Sequence, residues 1–298
     1  MLRTISLASL AAVAVIASAS AAPEPVVKVR VGISSGLVLS AAGSVWTSDL
    51  ISPRVVRIDP ATNGVARRIK VGQRPFGLAY GAKSLWVSDR NLNRLTRINP
   101  RTSRIQARIK IGFSSYGLAF GAGSVWVTSE SDGTVRRVNP KKNRVSAKIK
   151  AGSQPNGVVY AFGAIWVADL GGGRVLKIDV KRNKIVARYP VPQADWITPS
   201  ADALWVSGES NLVVKLDPAT GAVLAQIPVG HNPLASAWIA GQLWVPNIDD
   251  GTISVIDQAT NAVRTTFAAG SGTLAVAETA GDAWVSASND GEIWRIRP

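Results

Sequence analysis

Short runs of Val, Ile, Leu and Trp recur along the chain, each closed by Gly, Pro, Asn or Asp, and no segment sustains an apolar stripe of helical period. The stretch "GAGSVWVTSESDGTVRRVNP", residues 121–140, is typical: strand, turn, strand. Close variants fill the chain and resolve into four-strand units. Strand A reads "GLAYG" or "GLAFG", strand B "SLWVSD" or "SVWVTS", strand C "LTRINP" or "VRRVNP", and strand D "QARIKIG" or "SAKIKAG". Strand B is almost continuously apolar, as a strand buried on both faces must be, whereas strand D alternates through Ala147, Lys148, Ile149 and Lys150. That gradient puts A innermost and D on the rim. The glycines opening strand A (Gly77, Gly117, Gly157) suit a crowded centre.

Tryptophan sets the period. Trp46, Trp86, Trp126, Trp166, Trp205, Trp244 and Trp284 are spaced by 40, 40, 40, 39, 39 and 40 residues. A β-rich repeat of that length predicts an all-β, seven-bladed β-propeller of four-stranded antiparallel blades. The seventh unit stops after a strand C, "EIWRIRP", and an orphan strand D, "VVKVRVG", lies near the start. Val27–Val31 is therefore expected to complete the last blade and close the ring, which removes the exposed edge of an open sheet.

Before that strand, "MLRTISLASLAAVAVIASASAAPEP" has a positive end, an apolar stretch too short to span a bilayer, and small residues, the pattern of a secretory signal peptide. The organisation expected is a signal peptide over 1–22 and a propeller over 23–298, periplasmic or secreted, with no transmembrane segment once processed and monomeric. The chain has no cysteine, so neither disulfides nor thiolate chemistry is available.

The two faces of the disc read differently. The C to D turns repeat as "DPATNG", "NPRTSR", "NPKKNR" and "DPATGA", which is turn chemistry and marks a structural face. On the other face the copies diverge. Ten residues before the marker Trp stand Gly36, Phe76, Tyr116, Asn156, Asp195, Leu234 and Leu274; three residues after it stand Asp49, Asp89, Ser129, Asp169, Gly208, Asn247 and Ala287. Both rings are expected at the mouth of the central channel, near Arg74, Glu130, Trp196, Glu209 and the single histidine, His231. Aromatic walls with convergent oxygens make this the candidate ligand site, for an unidentified small molecule or protein. Two readings stand for Asp49, Asp89 and Asp169: closure of their own turns, or ligands for a hard cation such as Mg²⁺ or Ca²⁺. His231 in "VGHNPLAS" is read chiefly as a loop-bonding imidazole and secondarily as a catalytic base.

The tetrapeptides "WTSD", "WVSD", "WVTS", "WVAD", "WVSG", "WVPN" and "WVSA", with "RIDPATN" downstream, resemble the YVTN-repeat family of bacterial β-propellers over nearly the whole chain beyond the leader. That resemblance implies an exported binding protein. The chain is also similar, more distantly, to virginiamycin B lyase, a seven-bladed enzyme with a Pro-His-Gly strand entry and a Trp-Phe-Thr-Glu strand, which uses His, Glu and magnesium. The matching entries here are "PFG" (75–77), "SYG" (115–117) and "PNG" (155–157), without histidine, and the Glu position falls on Asp49, Asp89 and Asp169. A metal-dependent lyase or lactone hydrolase is the alternative this second resemblance implies.

The net charge of +15 changes the picture once more, because it is uneven. Residues 1–190 carry 30 Lys and Arg against 8 acids; residues 191–298 carry 4 against 11. Arg68, Lys70, Arg108, Lys110, Lys148 and Lys150 sit on strand D of consecutive units, so blades 1 to 4 are expected to present a basic rim. One reading is edge protection. The other is attraction of a polyanion such as nucleic acid or an acidic envelope surface. The function expected is an exported binding scaffold using the irregular face, with the basic rim as a second surface and non-specific nucleic-acid binding as a further alternative.

Overall fold

The computed structural model describes residues 23–112 and 114–298; the expected signal peptide, 1–22, lies outside them. Seven four-stranded antiparallel sheets form a seven-bladed β-propeller, each meandering outward from strand A to strand D. In blade 2, for example, these are Pro75–Gly81, Ser84–Asp89, Arg94–Asn99 and Arg104–Lys110. Strand D of blade 7 is Pro25–Arg30, paired antiparallel with strand C, Glu292–Ile296, in the register Val29 to Ile293 and Pro25 to Ile296. Lys28 Nζ lies 3.8 Å from the centroid of Trp294, adding a cation–π contact across this closure. Among the described residues no helix is long and apolar enough to cross a membrane.

The A to B turns show why two residues suffice between these strands. Ala42 and Gly43, Ala82 and Lys83, Ala122 and Gly123, and Phe162 and Gly163 all take positive φ, the backbone of a type I′ hairpin whose twist matches its strands. In the C to D turns the Asx side chain caps the loop: Asn99 Oδ1 accepts from the amides of Arg101 and Thr102, and Asp179 Oδ1 from Lys181 and Arg182.

Each marker Trp is at most 2% exposed and fills the space between adjacent blades. Over its ring lies a cation from its own strand C, at 4.9–5.7 Å from the centroid in the pairs Arg57–Trp46, Arg97–Trp86, Arg137–Trp126, Lys177–Trp166, Lys215–Trp205 and Arg295–Trp284. The same cation reaches the C to D turn of the next blade. Arg97 Nη1 donates to Pro140 O at 2.7 Å and Asn143 Oδ1 at 3.0 Å, and Arg137 Nη1 repeats the bonds to Val180 O and Asn183 Oδ1. Blade 6 breaks the series with Val255. The reason is topological. Strands C and D of blade 7 come from opposite ends of the chain, so the turn that would accept such a bond does not exist.

A second stitch operates near the axis and sets the functional face. The hydroxyl two residues after the marker Trp bonds a strand A carbonyl of the next blade: Ser48 Oγ to Phe76 O, Ser88 Oγ to Tyr116 O, Thr128 Oγ1 to Asn156 O. Ser88 and Thr128 also accept from the amides of Gly77 and Gly117 in their own blades. Strand A register shifts at this point in five blades at least, as between Pro75 and Leu78. Such a bulge re-aims one side chain. Here it directs the residue before the glycine to the channel mouth.

Candidate functional site

Phe76 and Tyr116, both buried, meet at the mouth with ring centroids 4.4 Å apart and planes tilted by 44°. The guanidinium of Arg90 lies over both, 5.3 Å from Phe76 and 4.9 Å from Tyr116, and its Nη2 pairs with Glu130 Oε2 at 2.9 Å. Beside them Asn156 Nδ2 donates to Asp195 Oδ1 at 2.8 Å, while Asn156 Oδ1 is buried with no partner among the described residues. Five consecutive blades thus contribute to this face when Glu209 of blade 5 is counted with Asp195, and Gly36 of blade 1 with the entry ring.

Burial pushes the Asp195 carboxyl up to about 6, reinforced by Glu209 and Glu130 and opposed by the Asn156 hydrogen bond and Arg90. The phenol of Tyr116 is raised well above its usual range, first by burial and then by Asp195. Glu130 pairs with the guanidinium, and Glu209, Glu130 and Arg90 all act on the buried Asp195 carboxyl, which keeps its proton to a higher pH than an exposed aspartate would.

Of the residues expected at the mouth, Phe76, Tyr116, Glu130, Asn156 and Asp195 come together, with Glu209 acting on Asp195 and Tyr116; Asp49, Asp89, Asp169 and the residues named below do not join them. Asp49, Asp89 and Asp169 are buried and spend their carboxylates on the loops around them. Asp89 Oδ2 accepts from the amides of Gln73 and Arg74, and its Oδ1 from Asn91 and Leu92. Asp49 binds the amides of Ile33, Ile51 and Ser52, and Asp169 those of Ser153 and Gln154 plus Arg174 Nε. Gly32, Gly72 and Gly152 sit so close beneath these carboxylates that a Cβ would overlap them. The aspartates thus tie the D to A loop of each blade to its B to C loop. Among the described residues no three His, Asp or Glu side chains are grouped to hold a metal ion, and the three carboxylates are taken up by loop amides and Arg174.

Arg74 is exposed, and only its amide joins that network. Asn247 is buried in blade 6, its Nδ2 bonded to Thr252 and Ser254. Trp196 is half-buried in the channel wall. His231 is exposed on its loop, with Nδ1 2.8 Å from Asp250 Oδ1 and its amide bonded to Asp250 Oδ2.

Arg90 was not among the expected residues, and the cause is one position of register. Successive strand residues point to opposite sides, so where the residue three after the marker Trp turns into the loops, the one four after it reaches the mouth. That position reads Leu50, Arg90, Glu130, Leu170, Glu209, Ile248 and Ser288, and its charged members are those acting on Asp195.

The sequence matches no known family profile and no curated protein. Solved structures share the fold. A streptogramin B lyase structure superposes with a TM-score of 0.79 at 14% identity, covering 89% of this chain and 93% of its own. Hydrazine synthase from Kuenenia stuttgartiensis gives 0.76 at 12% identity, covering 97% and 99%. At such identities the likeness establishes the propeller and nothing about chemistry.

Proposed function

We propose that this protein is an exported binding scaffold whose irregular face takes a small ligand carrying a cationic or hydrogen-bond-donating group above the Phe76 and Tyr116 rings. The observation carrying this reading is the charge at the mouth: Glu130 and Glu209 both act on the buried Asp195, Arg90 is paired with Glu130, and the Asn156 Oδ1 acceptor has no partner among the described residues. A donor-bearing ligand satisfies the carboxylates and this acceptor and has aromatic faces to stack against. The YVTN-type repeats agree with a binding role.

Differential scanning fluorimetry with small aliphatic and aryl amines, each beside its neutral isostere, tests it. Amines should raise the melting temperature of the wild type and leave Asp195→Asn unmoved; equal response to amines and isosteres overturns the reading. No lactone should be turned over, with or without EDTA. Turnover that EDTA abolishes would replace the scaffold by the lyase alternative.

A second surface is favoured by one observation. Closure by Pro25–Arg30 aligns Lys28 and Arg30 with Arg68 and Lys70, Arg108 and Lys110, and Lys148 and Lys150, with Arg188 continuing in blade 4. All are exposed, so the basic arc runs from blade 7 to blade 4, longer than the four blades expected. It suits a linear polyanion lying along the rim.

A further inference from the structure

The opposite end of the channel holds a cavity that this reading leaves unused. It is a wide-mouthed hollow of 310 Å³ between the strand A segments, with Leu78, Leu118 and Val158 in its wall, and it opens broadly beside the A to B turns. Around it stand Tyr80, Phe120, Tyr160 and Trp196. Tyr80 and Tyr160 are 40% and 39% exposed, whereas Phe120 and Trp196 are half-buried.

Three features define what fits there. First, no lining residue is charged, although the molecule carries +15 overall; an ion placed there would lose its hydration without a counter-charge. Second, the hydroxyls of the wall are already paired. Thr198 Oγ1 is 2.8 Å from Ser236 Oγ and 3.0 Å from Ser236 O, so the wall presents π-faces and methyls, with phenol hydroxyls only at the rim. Third, the rings are held in place: Phe120 lies against Gly81 and Tyr160 against Gly121 of the preceding blade, each so close that a Cβ on the glycine would overlap the ring. Those two glycines have negative φ, so space for the neighbouring ring, not backbone freedom, accounts for them.

From this we infer that the cavity binds a neutral, planar aromatic molecule, edge-lined by the Tyr80, Phe120 and Tyr160 rings with Trp196 at its inner wall. The volume is at the lower end of small-ligand sites, and a preformed wall spares the ordering cost of binding. The site is separate from the amine-binding reading of the other mouth and stands or falls without it.

The test uses N-phenyl-1-naphthylamine, an uncharged probe that brightens in apolar surroundings, titrated onto residues 23–298 at high salt, with 1-anilinonaphthalene-8-sulfonate as its charged counterpart. Saturable one-to-one binding of the neutral probe is expected, weakened about tenfold or more by Tyr80→Ser plus Tyr160→Ser, since each aromatic pair contributes about 0.5–1.5 kcal/mol. Both tyrosines are exposed, so the double variant should fold, and a matching melt checks that. Gly81→Ala, which crowds Phe120, should also weaken binding, whereas Phe162→Ser, exposed but outside the cavity wall, should not. No saturable binding, binding unmoved by the double variant, or tighter binding of the sulfonate at high salt overturns the inference. So does concentration-dependent dimerisation in sedimentation that the double variant abolishes, because the face would then be a contact between copies.

Discussion

Arg295 Nη1 donates to Pro60 O at 2.9 Å and to Asn63 Oδ1 at 2.8 Å, while its Nε binds Asp282 at 2.6 Å. The last strand of the chain is thereby fastened to the first blade by the same contact that joins blade 2 to 3 and 3 to 4. Arg295→Ala removes charge-assisted bonds and leaves Asp282, 9% exposed, with only the longer contact to Arg297 at 3.8 Å. It should cost about 2 kcal/mol in chemical denaturation. Deleting residues 23–32 should lower the melting temperature further, because it exposes the edge of blade 7 as well as removing Val29 and Val31 from the core.

The titration of Asp195 gives a signed pH dependence. Its folded pKa of about 6 exceeds the usual aspartate value, so the folded state holds a proton that the unfolded chain releases. The stability this protonation contributes is full below about pH 4 and is lost as pH rises through about 6. Asp195→Asn, neutral throughout, should therefore stabilise the protein by about 2 kcal/mol more near pH 7.5 than near pH 4.5. Urea denaturation at the two pH values checks it; an equal effect at both would place the Asp195 pKa elsewhere.

Lys83 occupies the second position of a type I′ turn at φ 56°, where blades 1, 3 and 4 have Gly43, Gly123 and Gly163. A side chain there crowds its own carbonyl. Lys83→Gly should raise stability by about 1 kcal/mol, read as a shift in the denaturation midpoint with unchanged slope.

The rim reading is checked by DNA retardation against salt. If Z phosphates are contacted, the logarithm of affinity should fall with the logarithm of salt at about −0.9Z. Arg108→Glu plus Lys110→Glu should reduce that slope, and Lys28→Glu plus Arg30→Glu should reduce it equally. A wild type that does not retard DNA at low salt ends the nucleic-acid version of this reading. A loss confined to blade 2 would show that the arc stops short of the closure.

Much was legible before any coordinates. The Trp period gave the blade count, the polarity gradient from strand B to strand D gave the order from axis to rim, and the unpaired strand at each end gave the closure. All three follow from local rules: a strand buried on both faces has to be apolar, an edge strand needs charge, and a sheet edge needs a partner. The Asx turns were equally plain, because Asn99 and Asp179 bond amides only two and three residues away.

What the sequence could not separate was Asp89 from Arg90. Asp89 ends strand B and Arg90 follows it, both are polar, and one spends its charge on loop amides while the other stacks on Phe76 and Tyr116. That choice rests on where strand A bulges and which way the loop turns. The aromatic wall at the other mouth is hidden for a related reason: Gly81 and Gly121 stand in the sequence only as the last residues of strand A, and the packing of the next blade shows that they make room for Phe120 and Tyr160. Periodicity along a chain fixes which residues are buried; which buried and half-buried groups face one another across blades is set by the ring.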